Sequence, residues 1–328
     1  RGTCGRPAPG CGWSTACGRS APRATRRAEL AEEITARRTS GAYLPGVTLP
    51  SSLTATADVG VAADGADLVV LAVPLQLLAA HLQRWRDRLP AHAPFVLLTK
   101  GVETGTGRFG HEVLTDGLGV GPGRVVLLSG PNLALEVAQG QPAATVVACA
   151  DASVAQRVAD ACRSSTFRPY LSTDVVGVDV AGAMKNVVTL ALGMAEGAGF
   201  GANARAALLT RGLAEATRLG VALGADALTF LGLAGLGDLV ATSLSTLSRN
   251  HRVGLALGRG ATLEQALASL AGGTAEGVAS TAPVLARARS VGVELPLAAE
   301  VLDVLAGRRT PQEASERLLS RPPAHDGP

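Results

Sequence analysis

Between residues 64 and 172 the chain alternates short contiguous Val/Leu runs with stretches of helical spacing. The runs are ADLVVLAV (66–73), PFVLLT (94–99), RVVLLS (124–129), ATVVACA (143–149) and FRPYLS (167–172). Near-continuous apolar strands, each closed by a polar or Gly/Pro turn, predict a parallel sheet covered on both faces. In such a doubly wound sheet the ligand lies beyond the carboxyl ends of the strands, at Pro74 onward, Lys100-Gly101 and Gly130-Pro131-Asn132. After Asp174 the strand pattern stops and Ala/Leu-rich helical stretches run to the end, separated by Gly-rich turns. Thr262 with Gln265, and Thr310 with Glu313, read as capping boxes that start two of these helices. The pattern predicts an α/β fold followed by an all-α one. A Rossmann-type doubly wound parallel sheet spans residues 26–173 and a helical unit spans residues 174–328, with a ligand cleft between them.

Residues 1–25 break this pattern. They carry arginines, no acid, no apolar strand and three of the cysteines. A doubly wound nucleotide domain opens with a buried strand and a G-x-G-x-x-G turn onto a helix. Both read as missing here, so the stretch is expected to be disordered or frame-shifted, and nucleotide binding by the chain as written is expected to be poor.

Composition narrows the class. Charged residues make up 17% of the 328 and the hydrophobic set 47%, which suits a globular protein. A net charge of +3 is too small to argue for nucleic acid or a membrane surface. Uncharged runs such as 137–150 fall short of the roughly 20 apolar residues a bilayer span needs. The five cysteines match no zinc spacing, and no metal site is expected. A cytoplasmic setting is the default expectation.

Of thirty basic side chains, only Lys100 and Lys185 are lysines. Ammonium can surrender a proton and guanidinium cannot, so these two positions stand out as candidate chemistry. Lys185 lies early in a long helix beside Gly182 and Ala183, where a second group can approach closely and an apolar setting would lower its pKa. A helix lysine snorkelling to water is the alternative. Lys100 follows a strand at the ligand end of the sheet, and a solvated strand-end lysine is its alternative. Asp238, in GLGD, reads either as a partner of Lys185, as a ligand for a substrate hydroxyl or as a helix cap. Ser248-Arg249-Asn250, opening a helix, combines hydroxyl, guanidinium and amide at a position suited to an anion.

The segments 182–215 (GAMKNVVTLALGMAEGAGFGANARAALLTRGLAE) and 230–250 (FLGLAGLGDLVATSLSTLSRN) resemble the bacterial soluble NAD(P)-dependent glycerol-3-phosphate dehydrogenases. So do TKGVE (99–103), SGPNLALEVA (129–138) and AEGV (275–278), all in the family's order. The likeness covers roughly residues 26–320. It implies a helical domain of the 6-phosphogluconate-dehydrogenase-like kind and reversible reduction of dihydroxyacetone phosphate to sn-glycerol 3-phosphate with NAD or NADP as cofactor. It further implies supply of the glycerophosphate backbone of phospholipids.

The resemblance assigns proton transfer to Lys185, and substrate contacts to Lys100, Gly130, Asn132, Asp238, Ser248, Arg249 and Asn250. Cofactor contacts fall to Arg26, Lys100, Ala134, Arg249 and Glu276. Asn132 stands where the family carries a hydroxyl residue. Tyr43 is expected to pack and Asn203 to cap a helix. The expected partner is the small-molecule substrate alone, with no nucleic acid and no membrane insertion. A homodimer is compatible with the helical unit.

Overall fold

The computed structural model describes residues 21–25, 27–270 and 273–322. In the first half, β1 (Ala21–Ala24), α1 (Ala28–Glu32), β2 (Leu53–Thr56) and α2 (Val59–Ala63) precede the strands that the pattern predicts. These are β3 (Val69–Leu71), β4 (Phe95–Leu97), β5 (Val125–Ser129), β6 (Ala143–Ala148) and β7 (Phe167–Ser172). Between them lie α3 (Leu75–Trp85), α4 (Gly110–Leu118), α5 (Ala134–Ala138) and α6 (Ala152–Cys162). The expected five strands all form, in the order β3-β4-β5-β6-β7.

Two features depart from the expectation. Strand β6 runs antiparallel to β5, so the sheet is mixed, with β3-β4-β5 and β6-β7 each parallel within themselves. The apolar runs that predicted the sheet report burial on both faces and say nothing of direction. Second, Ala21–Ala24 belongs to the stretch read as anomalous, yet it pairs parallel with β2 in a separate two-stranded sheet. Its sequence, APRA, has no large apolar side chain, so a search for apolar runs does not mark it. Among the described residues β1 pairs only with β2, and β3 only with β4, with Val70 of β3 half exposed. A doubly wound order has one strand between these two, and no described residue fills that place. Residues 1–20, on which the expected glycine turn would fall, lie outside the described residues.

The second half contains α7 (Val175–Gly197), α8 (Ala202–Ala222), α9 (Asp238–Leu244), α10 (Arg249–Gly258) and α11 (Leu263–Ala268). It ends with α12 (Glu276–Ser290), α13 (Pro296–Leu305) and α14 (Pro311–Leu319). Both expected capping boxes form, at Thr262 with Gln265 and at Thr310 with Glu313. Asn203 does not cap; it sits inside the first turn of α8, whose N-cap is Gly201. The helix α7 is apolar around its whole circumference, and such a helix has to be buried. It forms the centre of the helical half, with α8, α9, α10, α12 and α13 packed around it. Among the described residues it is one of two helical stretches long and apolar enough to cross a bilayer; the other is Ala227–Leu244.

Packing of α7 on α10 is unusually close because both contact faces are glycine. A Cβ on Gly193 would stand 2.3 Å from the His251 carbonyl oxygen, and one on Gly254 would stand 2.2 Å from that of Leu190. Gly197 and Gly258 repeat the arrangement one turn on. The first turn of α10 is thereby fixed beside the middle of α7. The halves are also joined by an exchange of side chains, because Val102 and Phe109, which belong to the loop after β4, lie in the core of the helical half.

Candidate active site

Lys185 points from α7 toward the start of α9. Its Nζ donates to Asp238 Oδ1 at 2.9 Å and to Thr242 Oγ1 at 2.8 Å. Asp238 and Thr242 sit four residues apart on one face of α9, and Thr242 Oγ1 also donates to Asp238 Oδ1 at 3.1 Å. The second carboxylate oxygen of Asp238 accepts from Lys100 Nζ, which arrives from the other half of the chain. One buried carboxylate therefore joins the only two lysines of the sequence. Asp238 opens α9 without capping it; its side chain is committed to the lysines.

The charges tune one another. Burial pushes the Lys185 ammonium down to about 8, helped by the positive charge of Lys100 and opposed by Asp238. Burial alone would raise the Asp238 carboxyl, but the two lysines outweigh it and hold it below the usual carboxylate range. The Lys185 side chain is 11% exposed and its ammonium is bonded to Asp238 and Thr242, so it does not snorkel to water. Gly182, one turn before Lys185, leaves the space along which the Lys100 stem runs, with Lys100 Cγ 3.3 Å from where a Cβ would be.

Glu276 opens α12 beside this cluster. Burial raises its carboxyl, and Arg249, Lys100 and Lys185 partly offset the rise. Ser248 is the N-cap of α10, its Oγ accepting from the His251 N–H at 3.2 Å, and Asn250 is buried one residue inside the helix. The Asn250 amide donates to Asn186 Oδ1 at 2.9 Å, and Asn250 Oδ1 accepts from the Gly277 N–H at 3.0 Å. That chain ties the start of α10 to the neighbour of Lys185 on α7 and to the neighbour of Glu276 on α12. Arg249 is exposed as a residue, but its side chain lies beside Gly273, where a Cβ would stand 3.1 Å from Arg249 Cδ, and its charge acts on Glu276.

Other expected residues stand apart from the lysines. Gly130 adopts φ +147°, a backbone that favours glycine, and a Cβ there would stand 3.2 Å from the Ala144 carbonyl oxygen. Asn132 holds the same turn to β6, its amide 2.8 Å from Thr145 Oγ1. Ala134 begins α5 and is exposed. Arg26 lies outside the described residues; its neighbour Arg27 donates to Tyr43 Oη at 3.2 Å and lies over the Tyr43 ring.

The sequence reading missed Thr242, Asn186 and Ser280. Thr242 carried a usable signal, since it falls one helical turn after Asp238. A buried, pKa-lowered lysine held by one carboxylate and one hydroxyl is suited to giving a proton to an oxygen placed before it, and Lys100 beside it stabilises negative charge there.

Relatives of known name share this architecture. The NAD-dependent glycerol-3-phosphate dehydrogenase N-terminus family model matches residues 18–155, and the C-terminus model of the same enzyme matches residues 174–316. Over 296 residues the chain is 52% identical to a glycerol-3-phosphate dehydrogenase, NAD(P)+, of Streptomyces griseus, covering 90% of this chain and 88% of that protein. The crystal structure of glycerol-3-phosphate dehydrogenase (gpsA) from Coxiella burnetii matches with a TM-score of 0.86 at 34% identity, over 92% of this chain and 91% of that one. For glycerol-3-phosphate dehydrogenase GPD1 of Saccharomyces cerevisiae the TM-score is 0.73 at 27% identity, over 88% and 85%. The chain belongs to the NAD(P)-dependent glycerol-3-phosphate dehydrogenase family.

Proposed function

We propose that this chain reduces dihydroxyacetone phosphate to sn-glycerol 3-phosphate, reversibly, through the Lys185 cluster. The observation that carries the reading is the hydrogen-bonded unit of Lys185, Asp238 and Lys100. NADH or NADPH, when bound, supplies the hydride that goes to the carbonyl carbon. As that carbon is reduced, the carbonyl oxygen takes a proton from Lys185 Nζ, which is left as a neutral amine. A pKa of about 8 makes both forms of Lys185 accessible near neutral pH. Asp238 orients the ammonium, and Lys100 stabilises the developing oxyanion. In the reverse direction neutral Lys185 takes the hydroxyl proton of glycerol 3-phosphate.

The phosphate fits the start of α10. Ser248 Oγ retains its hydroxyl hydrogen after accepting the cap bond, Arg249 carries a positive charge at the same helix start, and the N–H groups of a ten-residue helix point the same way. The described residues fit the reacting end of the cofactor, where we assign contacts to Lys100, Arg249, Glu276 and Ala134. Gly130 and Asn132 are assigned to the substrate side through the turn they shape, and Arg26 to the adenosine end. We read residues 26–173 as the cofactor unit and residues 174–328 as the substrate unit. A cytoplasmic setting, a role in phospholipid supply and a homodimer belong to the same reading, and sedimentation velocity tests the last. Wherever the purified protein binds NADH or NADPH, it is expected to oxidise it only when dihydroxyacetone phosphate is added. Equal rates with a non-phosphorylated hydroxy ketone would overturn the substrate assignment.

A further inference from the structure

Lys100 comes from the sheet and meets its partner Asp238 in the helical half, so something must set where its backbone sits. The Ser280 hydroxyl is completely buried on α12, and its Oγ accepts the Val102 N–H at 3.1 Å across 178 residues of sequence. From the opposite side, Gln76 of α3 donates to the Val102 carbonyl at 2.8 Å and accepts the Thr104 N–H at 2.8 Å. Val102 is fully buried in the helical core. Gly101, between Lys100 and Val102, adopts φ +147°, and a Cβ there would stand 2.7 Å from Ser280 Oγ. Glu276, one turn before Ser280 on α12, faces the Lys100 backbone N–H. The loop that carries Lys100 is thus gripped at both edges of its peptide chain.

We propose that Ser280 is a positioning residue for the reaction: its Oγ, by holding the Val102 N–H, docks the Lys100 loop on α12 and places Lys100 Nζ against Asp238 beside Lys185. The inference rests on the function proposed above only for its effect on turnover. Its geometry concerns this chain alone. Removing the acceptor leaves the Val102 N–H buried without a partner, which the loop relieves by moving away from α12. Lys100 lies two residues before Val102 on that loop. Its charge is one of the causes that lower Lys185, and its withdrawal also frees Asp238 to pair more fully with Lys185. Both changes raise the pKa of Lys185.

Because the chain has only two lysines, ¹³C/¹⁵N-lysine labelling gives two side-chain resonance sets, assigned by Lys100→Arg, and they titrate in the protein without any cofactor. Ser280→Ala is expected to move the Lys185 midpoint upward from about 8 by about half a unit or more, while Ser280→Thr, which keeps the acceptor, holds it. If Ser280→Ala does not fold, Ser280→Cys, a weaker acceptor of similar size, is expected to shift the midpoint in the same direction. In turnover, kcat for dihydroxyacetone phosphate should fall about tenfold in Ser280→Ala, with the alkaline limb displaced upward and recovery in Ser280→Thr. An unchanged Lys185 midpoint in folded Ser280→Ala or Ser280→Cys overturns the proposal. A shifted midpoint with no reduction of dihydroxyacetone phosphate by the unsubstituted chain upholds the positioning role and overturns instead the function on which its turnover effect rests.

Discussion

Asp238 divides its carboxylate between two lysines, with Oδ1 2.9 Å from Lys185 Nζ and Oδ2 bonded to Lys100 Nζ. Two ammonium groups in a buried site repel one another, and this carboxylate is what lets them share it. In Asp238→Asn the repulsion is uncompensated and Lys185 falls below its present value of about 8. Breaking comparable buried ion pairs costs about 3–5 kcal/mol. The variant should therefore melt lower, and its alkaline limb for ketone reduction should move toward acid pH, opposite to the shift expected for Ser280→Ala. Melting curves and kcat–pH profiles of the two variants check this.

Direction of reaction should invert the pH dependence. Ketone reduction needs the ammonium form of Lys185, so its kcat should decline as pH rises through about 8. Oxidation of glycerol 3-phosphate needs the neutral amine, so its kcat should rise over the same interval. Parallel initial-rate profiles, at saturating substrate in each direction, test this; limbs running the same way would count against Lys185 as the proton carrier.

The glycine contact between α7 and α10 gives a stability prediction with a functional consequence. In Gly193→Ala or Gly254→Ala the new methyl would lie 2.3 or 2.2 Å from a backbone carbonyl oxygen, so the helices have to separate. Overpacking of this kind costs about 1–3 kcal/mol. Separation also carries Ser248, Arg249 and Asn250 away from Lys185, so KM for the phosphorylated substrate should rise more than kcat falls. Urea denaturation and steady-state kinetics read the two effects separately.

Glu215 makes the fold itself sensitive to pH. From α8 its carboxyl oxygens accept the Leu297 and Ala298 N–H groups at the start of α13, at 2.6 and 3.2 Å. Burial nevertheless raises its pKa from 4.5 to about 7. A carboxyl raised in the folded state contributes stability fully below its unfolded value, and that contribution is lost as pH climbs through the folded one. Between pH 4.5 and about 7 the loss is on the order of 3 kcal/mol. Glu215→Gln should flatten this part of the stability–pH curve, measured by urea unfolding across the interval; an unchanged slope would contradict it.

How much of this was legible in the sequence follows from the range of each interaction. The strands β3 to β6 carry contiguous Val or Leu, which marks them locally, whereas β7, FRPYLS, is mostly exposed or half-buried. The strands β1 and β2, APRA and LTAT, carry no such contiguous run and left no such mark. The reversal at β6 was invisible because side-chain pattern does not encode strand direction. In the site, Lys185, Lys100 and Asp238 stood out by scarcity and by family motif. Ser280 and Gln76 did not, because a serine and a glutamine on helices are unremarkable until the fold brings both to Val102. Ser248, expected at the opening of a helix, is the N-cap of α10.

The central claim is that the Lys185 ammonium gives its proton to the substrate oxygen. The most direct measurement is the rate of dihydroxyacetone phosphate reduction by Lys185→Arg beside the unsubstituted chain, at matched folding by circular dichroism. Arginine keeps the positive charge opposite Asp238 but does not release a proton, so a loss of roughly a hundredfold or more in kcat is expected. Turnover by Lys185→Arg at the unsubstituted rate would contradict the account.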